Sequence, residues 1–226
     1  MSLAGKACIV TGGAGALGSA VCMALSGAGA KVMAIDNGVL PAEQPGIGNV
    51  DLSDAGKAKA AIDKAVSEMG GLYALINIAG GFRWEKLAGG KIGTWDFLYT
   101  VNVKTAVNAC QAVLPHLLKA KTGRIVNIGA AAAAKPAAAG MGAYTAAKAG
   151  VLKLTEALAD EVKNDGITVN AILPTTIDTA ANRKDMADAD FSKWVKPEEI
   201  AALIEYLLSP AASAVTGANI PIAGRV

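Results

Sequence analysis

Short aliphatic and β-branched runs alternate with longer amphipathic stretches along most of the chain. The short runs predict strands at Ala7–Thr11, Lys31–Asp36, Ile47–Val50, Ala74–Ile78, Arg124–Gly129, Ile167–Leu173 and Asn219–Ile222. Between them, helical spacing of apolar positions predicts helices near Gly18–Ser26, Ala55–Met69, Thr94–Leu118, Ala143–Lys163 and Pro197–Leu208. Pro197, Glu198 and Glu199 suit the first turn of the last helix, and Asn164-Asp165-Gly166 suits a helix stop. Such alternation implies a mainly parallel sheet of about seven strands, doubly wound, with right-handed crossovers and helices on both faces. Ligands of such sheets bind at the carboxyl ends of the strands.

Composition narrows the classes. With 226 residues, 53% of them apolar and 48 of them Ala, the chain can bury one large α/β core, so one domain over residues 1–226 is expected. Residues Ala7–Ala30 carry no charge, but Gly12, Gly13, Gly15, Gly18, Gly27 and Gly29 punctuate them, which favours strand, turn and helix over a membrane span. The start of the chain shows no compact apolar block with a cleavage site, so a cytoplasmic protein is expected. Cys8, Cys22 and Cys110 are odd in number and widely spaced, which suits buried thiols better than disulfides or zinc. The single His116, after Pro115 near a helix end, argues against His-based metal sites or triads and suits an exposed or capping role. No metal site is expected. A net charge of +2 without a Lys/Arg cluster gives no footprint for nucleic acid, so the expected partner is a small-molecule substrate.

Directly after the first strand comes Thr11-Gly12-Gly13-Ala14-Gly15-Ala16-Leu17-Gly18. Glycines permit the tight turn, and backbone N–H groups at the following helix start attract a pyrophosphate. Asp36 stands 18 residues beyond Gly18 at the end of the second strand, completing a dinucleotide-binding pattern and a Rossmann-type expectation. A carboxylate there accepts hydrogen bonds from both ribose hydroxyls and repels a 2′-phosphate, which favours NAD(H) without excluding NADP(H). The other reading of Asp36 is a cap on a strand-end turn. Asp51 and Leu52 suit either an adenine contact or a helix start, since Ser53 and Asp54 are good caps. Asn77-Ile78-Ala79-Gly80-Gly81 suits either a close-packed turn or a floor under the cofactor ribose.

Tyr144 and Lys148 lie four apart at the start of a helix and so share a face, which Val151, Leu154, Leu158 and Val162 continue as an apolar stripe. An ammonium near a phenol favours phenolate, so the pair predicts a lowered tyrosine pKa and a usable acid or base.

Taken with the glycine loop, Asp36 and Asn77-Ile78-Ala79-Gly80, this pair makes the chain resemble the short-chain dehydrogenase/reductase family over nearly its whole length. The resemblance implies that Tyr144 exchanges a proton with substrate while Lys148 binds the nicotinamide ribose. Asn102 resembles the family asparagine of a proton relay, and Pro174, Ile177 and Thr179 resemble the segment contacting the nicotinamide carboxamide. It also implies homodimers or homotetramers assembled through long helices. Three positions depart from the family pattern. Ala16 replaces a loop glycine, Thr175 follows Pro174 where Gly is common, and Ala131 stands thirteen residues before Tyr144 where the family keeps its catalytic serine. The dihydropteridine reductase subgroup, which uses NADH, also has Ala there. The chain is similar to it at Gly13-Ala14-Gly15-Ala16-Leu17-Gly18-Ser19, Ala79-Gly80-Gly81, Gly140-Met141, Leu173-Pro174, Asp178-Thr179, Asn182-Arg183-Lys184, Met186, Ala189-Asp190-Phe191-Ser192 and Trp194.

Phe82 and Trp84 follow the fourth strand and suit either stacking on a flat substrate beside Ala131 and Thr175 or an apolar lid or oligomer contact. Residues 178–196 mix Asn, Arg, Lys and Asp with Phe191 and Trp194, suiting either a substrate lid or a solvated connector. Three functions remain at this level. They are an NAD(P)H-dependent reductase of a conjugated C=N or C=O compound, a conventional alcohol/ketone dehydrogenase in which water or a hydroxyl from Thr145 or Thr175 replaces the serine, and a non-catalytic dinucleotide sensor.

Overall fold

A computed structural model describes residues 2–226. Seven parallel strands, β1 (Ala7–Thr11), β2 (Lys31–Ile35), β3 (Gly46–Ile47), β4 (Ala74–Asn77), β5 (Gly123–Ile128), β6 (Ile167–Pro174) and β7 (Asn219–Ile222), form one sheet. Their spatial order is β3-β2-β1-β4-β5-β6-β7, so the winding reverses between β1 and β4. Every residue of β1, β4, β5 and β6 is buried because helices cover both faces.

Successive strand residues feed opposite layers. Ile9, Leu75, Ile125 and Val169 pack with α2 (Ala55–Met69), α4 (Thr105–Ala120) and α5 (Gly142–Val162). Val10, Ile76, Val126 and Ile172 pack with α1 (Ala16–Gly27) and α7 (Pro197–Leu208). Buried alanines such as Ala58, Ala61, Ala65, Ala109 and Ala112 let helices lie close to the sheet and to each other. His116 on α4 does not cap the helix; its Nε2 meets Asp63 of α2 at 2.8 Å and ties the two helices together. The three cysteines are buried and unpaired, with burial pushing Cys8, Cys22 and Cys110 up to about 12, 11 and 12.

Several boundaries differ from the sequence expectation for local reasons. The third strand stops at Ile47 because Asn49 adopts a left-handed φ of 58°. The helix expected over Thr94–Leu118 is three pieces: α3 (Ile92–Tyr99), a π turn (Thr100–Lys104) and α4. The widened turn carries Asn102, whose Nδ2 donates to the carbonyls of Leu98 at 2.9 Å and Gly81 at 3.0 Å. Within residues 178–196, Thr179 caps a short helix, α6 (Ala180–Asp185), through the Asn182 N–H. Among the described residues no helix is long and apolar enough to cross a membrane, and Ala7–Ala30 folds as β1, a turn and α1.

Candidate active site

The carboxyl ends of β1, β2 and β4 meet around the glycine loop. Gly12 has φ 72°, and a Cβ there would stand 2.7 Å from the Ala79 amide; a Cβ on Gly18 would stand 2.1 Å from the Gly12 carbonyl. No larger residue fits this convergence of two turns and a helix. Helix α1 begins at Ala16 with no side chain capping its N-terminus, so the first-turn amides of Ala16, Leu17 and Gly18 form a positive end. The cap reading of Asp36 is the one that its hydrogen bonds display. Its Oδ1 accepts from Gly38 N–H at 2.8 Å, capping the strand-end turn, while its Oδ2 accepts from Ala14 N–H at 2.9 Å. The carboxylate is thereby fixed beside the loop. Gln44, which the sequence did not single out, also braces it, donating from Nε2 to the Gly13 carbonyl at 2.9 Å.

A cleft of about 440 Å³ opens here, bringing together Gly12, Gly15, Asp36, Asp51, Leu52, Ala79 and Gly80. Ile78 of the Asn77–Gly81 segment lines it too, as do Asn37 and Val101, whose side-chain types carry no signal that sequence reasoning could have used. Asp54, not Asp51, caps α2, accepting from Lys57 N–H at 3.0 Å. Asp51 Oδ1 accepts from the Ser53 hydroxyl at 2.7 Å and amide at 2.9 Å, which holds its carboxyl below the usual range. Asn77 does not reach the cleft. Its buried amide donates to Asn127 Oδ1 at 2.9 Å and accepts from Thr11 Oγ1 at 3.4 Å, bracing three strands from inside. The cleft, the uncapped helix end and the oriented Asp36 carboxylate together fit a dinucleotide with its pyrophosphate at α1 and a ribose at Asp36.

Beyond this cleft, Tyr144 lies in the first turn of α5 and Lys148 one turn later. Lys148 Nζ is buried and donates to the Ile128 carbonyl at 2.8 Å. A Cβ on Gly80 would stand 3.5 Å from that Nζ and 2.5 Å from Asn102 Oδ1, so these three residues meet at one point. Asn102 also accepts from Gly81 N–H at 3.3 Å; its side chain clamps the loop after β4. Burial pushes the Lys148 ammonium down to about 8 and the Tyr144 phenol up to about 12. The expected lowering of the phenol by Lys148 is not found, because loss of water around the ring outweighs any charge effect. Phe82 meets Tyr144 edge-on at 4.9 Å.

Residues 6–190 match the family model described as short chain dehydrogenase. The chain is a member of the short chain dehydrogenase family. It is 33% identical to 3-oxoacyl-(acyl-carrier-protein) reductase FabG of Thermotoga maritima, over 99% of this chain and 98% of that one. It is also 33% identical to D-threitol dehydrogenase of Mycolicibacterium smegmatis, over 98% and 93%. Aldohexose dehydrogenase of Thermoplasma acidophilum superposes with TM-score 0.89 at 26% identity, over 97% of this chain and 92% of that one. A short-chain type dehydrogenase/reductase from Mycobacterium ulcerans shares the fold with TM-score 0.92 at 24% identity, over 100% and 90%. The family consists of oxidoreductases that bind NAD(H) or NADP(H).

In this short chain dehydrogenase, Ala131 is buried and opens a 3₁₀ turn of three alanines. The hydroxyls of Thr145 and Thr175 are turned to backbone carbonyls. Thr145 Oγ1 donates to the carbonyls of Met141 and Gly142 at 2.9 and 3.2 Å, and Thr175 Oγ1 donates to the Ala223 carbonyl at 2.8 Å. Trp84 departs from a free stacking platform. Its Nε1 donates to the Ala139 carbonyl at 3.0 Å, and its ring lies where a Cβ on Gly140 would clash at 2.2 Å. Trp84 therefore fastens the loop after β4 to the loop before α5. On the far side, Pro174 ends β6, Ile177 bridges Val195, and the Thr179 oxygen is committed to α6. Residues 178–196 are anchored at their end by buried Trp194, which packs on Phe191 at 4.8 Å.

Proposed function

We propose that this short chain dehydrogenase is an NADH-preferring reductase of a small conjugated C=N or C=O compound, with Tyr144 as the proton donor. The observation that carries this is the alanine wall at Ala131, together with the engagement of Thr145 and Thr175 hydroxyls by backbone carbonyls. Losing one preorganised donor to a carbonyl oxygen lowers rates by roughly 10²–10³. An acceptor with a delocalised ring, such as a quinonoid dihydropterin, escapes that loss, because it needs a proton on nitrogen and no separate oxyanion donor. The sequence resemblance to the dihydropteridine reductase subgroup supports this reading, whereas the relatives reported above are FabG and D-threitol dehydrogenase.

A bound nicotinamide cofactor supplies the hydride. Asp36 accepts from the adenosine ribose hydroxyls and repels a 2′-phosphate, which supports NADH over NADPH. Asp51 and Leu52 border the adenine, the α1 amides hold the pyrophosphate, and Pro174, Ile177 and Thr179 border the carboxamide. Lys148 holds the second ribose, and Tyr144 keeps its proton at neutral pH because its pKa is raised. Asn102 acts as a positioning residue through the loop that it clamps. Residues 178–196 form the substrate lid. The same reading has copies of the chain assembling as homodimers or homotetramers, for which exposed Ile92 and Tyr99 on α3 supply apolar area.

A second reading, a conventional alcohol/ketone dehydrogenase, is favoured by the whole-length similarity to FabG and D-threitol dehydrogenase. The deciding assay follows NADH and NADPH oxidation with quinonoid dihydropterin, quinones and simple ketones, for wild type, Tyr144→Phe and Ala131→Ser. We expect turnover of the conjugated acceptors, a fall of roughly 10²–10⁴ in kcat for Tyr144→Phe, and little gain from Ala131→Ser. A large gain in ketone reduction by Ala131→Ser supports the second reading instead. Cofactor binding without any turnover supports a dinucleotide sensor.

A further inference from the structure

The loop after β4 places Phe82 and Arg83 side by side at the rim of the site. Phe82 touches Tyr144, and the Arg83 guanidinium carbon lies 3.7 Å from the centre of the Phe97 ring. Phe97 and Tyr144 pack against the same small cluster of Leu98, Val103, Ala143 and Ala147, so the guanidinium and the phenol border one rim. This contact over the ring face uses none of the guanidinium N–H donors as hydrogen bonds. Among the described residues, Arg83 makes no ion pair. The neighbouring acid, Glu85, feels the Arg83 charge but makes no ion pair with it. Glu85 turns its carboxylate to Lys91 N–H at 3.0 Å and to the Thr94 hydroxyl. Arg183 shows the contrasting case, with its Nε and Nη2 donating to the two Asp178 carboxylate oxygens at 2.6 and 2.8 Å. Lys86, over Trp84 at 5.9 Å, adds a second cation to the same loop.

We propose that Arg83 is a specificity-determining residue that binds a carboxylate on the substrate, so the acceptor reduced at Tyr144 is an acid. A fixed planar fork with unfilled donors matches the two oxygens of a carboxylate, and one guanidinium balances one charge. This deepens the reductase reading and rests on it for the reacting end of the substrate, while the carboxylate contact is measurable without turnover.

The test uses the full chain with NADH and two probes of one shape, benzoylformate and its methyl ester. Wild type is expected to prefer the acid. Arg83→Gln should lower kcat/KM for benzoylformate roughly 10- to 100-fold and leave the ester within about two-fold, and Arg83→Lys should recover part of the loss. Equal falls for both probes, or no wild-type preference, overturn the proposal. In parallel, benzoylformate is titrated into the NADH complex of wild type and Arg83→Gln, followed by intrinsic tryptophan fluorescence, to which Trp84 on the same loop contributes. A Kd at least ten-fold weaker in the variant supports the carboxylate site even if no hydride is transferred, and equal Kd values overturn it. Failure of the reductase reading shows separately, as acid binding without NADH oxidation.

Discussion

Replacing Lys148 by Met should remove a pH dependence from the stability of the protein. Lys148 is buried, and burial lowers its pKa from 10.5 to about 8. At 1.36 kcal/mol per pKa unit, that shift corresponds to about 3 kcal/mol of disfavour for the charged form in the folded state. Below pH 8 the lysine is charged in both states and the folded protein carries the full penalty. Between pH 8 and 10.5 the folded chain has released the proton while the unfolded chain still holds it, so the Lys148 contribution to stability rises with pH, by at most about 1.4 kcal/mol per unit. The Met variant lacks this titration. Its loss of the bond to the Ile128 carbonyl lowers stability equally at every pH. The opposing effects of the buried thiols of Cys8, Cys22 and Cys110, which begin above pH 9, and of Tyr144, which begins above pH 10, are common to both proteins and cancel in the comparison. Urea unfolding without cofactor, at constant ionic strength from pH 7 to pH 10, should therefore show wild type gaining about 2 kcal/mol on the variant. Parallel stability curves would refute the lowering of the Lys148 pKa by burial.

Two further outcomes are expected. Asp36→Ala should weaken NADH binding roughly ten-fold and raise the NADPH-to-NADH affinity ratio, because the ribose acceptor and the repulsion of a 2′-phosphate vanish together; an unchanged ratio in fluorescence titrations removes Asp36 from cofactor choice. Asn102→Leu should lower unfolding stability by about 2–4 kcal/mol, since it strands the Gly81 amide and the carbonyls of Gly81 and Leu98 in a buried turn. A loss below about 1 kcal/mol in urea titration shows that the clamp adds nothing.

Much of the frame was legible in the residues because it rests on local rules. β1, β7, α2 and α7 begin and end where the pattern of Ala7–Thr11, Asn219–Ile222, Ala55–Met69 and Pro197–Leu208 placed them. Fully buried strands leave continuous apolar runs, and Asp54 and Pro197 mark helix starts by capping chemistry. The left-handed Asn49 and the π turn around Asn102 were not legible. Both depend on partners distant in sequence: Val50 N–H bonds the Asp36 carbonyl at 2.9 Å, and Asn102 reaches Gly81. Asn77 shows the same division, since the motif containing it was evident while its commitment to Thr11 and Asn127 was not.

The sequence by itself determined the strand and helix alternation, the glycine loop with Asp36, the Tyr144 and Lys148 spacing, and the missing hydroxyl at Ala131. These are properties of short windows, where backbone sterics and side-chain period decide. Tertiary structure alone decided what each polar group does. It committed the Thr145 and Thr175 hydroxyls to carbonyls and turned Trp84 into a loop fastener. It reversed the expected shift of Tyr144 and left the Arg83 fork open beside Phe97. The physical reason is that desolvation and hydrogen-bond pairing depend on which distant segments close around a group, which no local window contains.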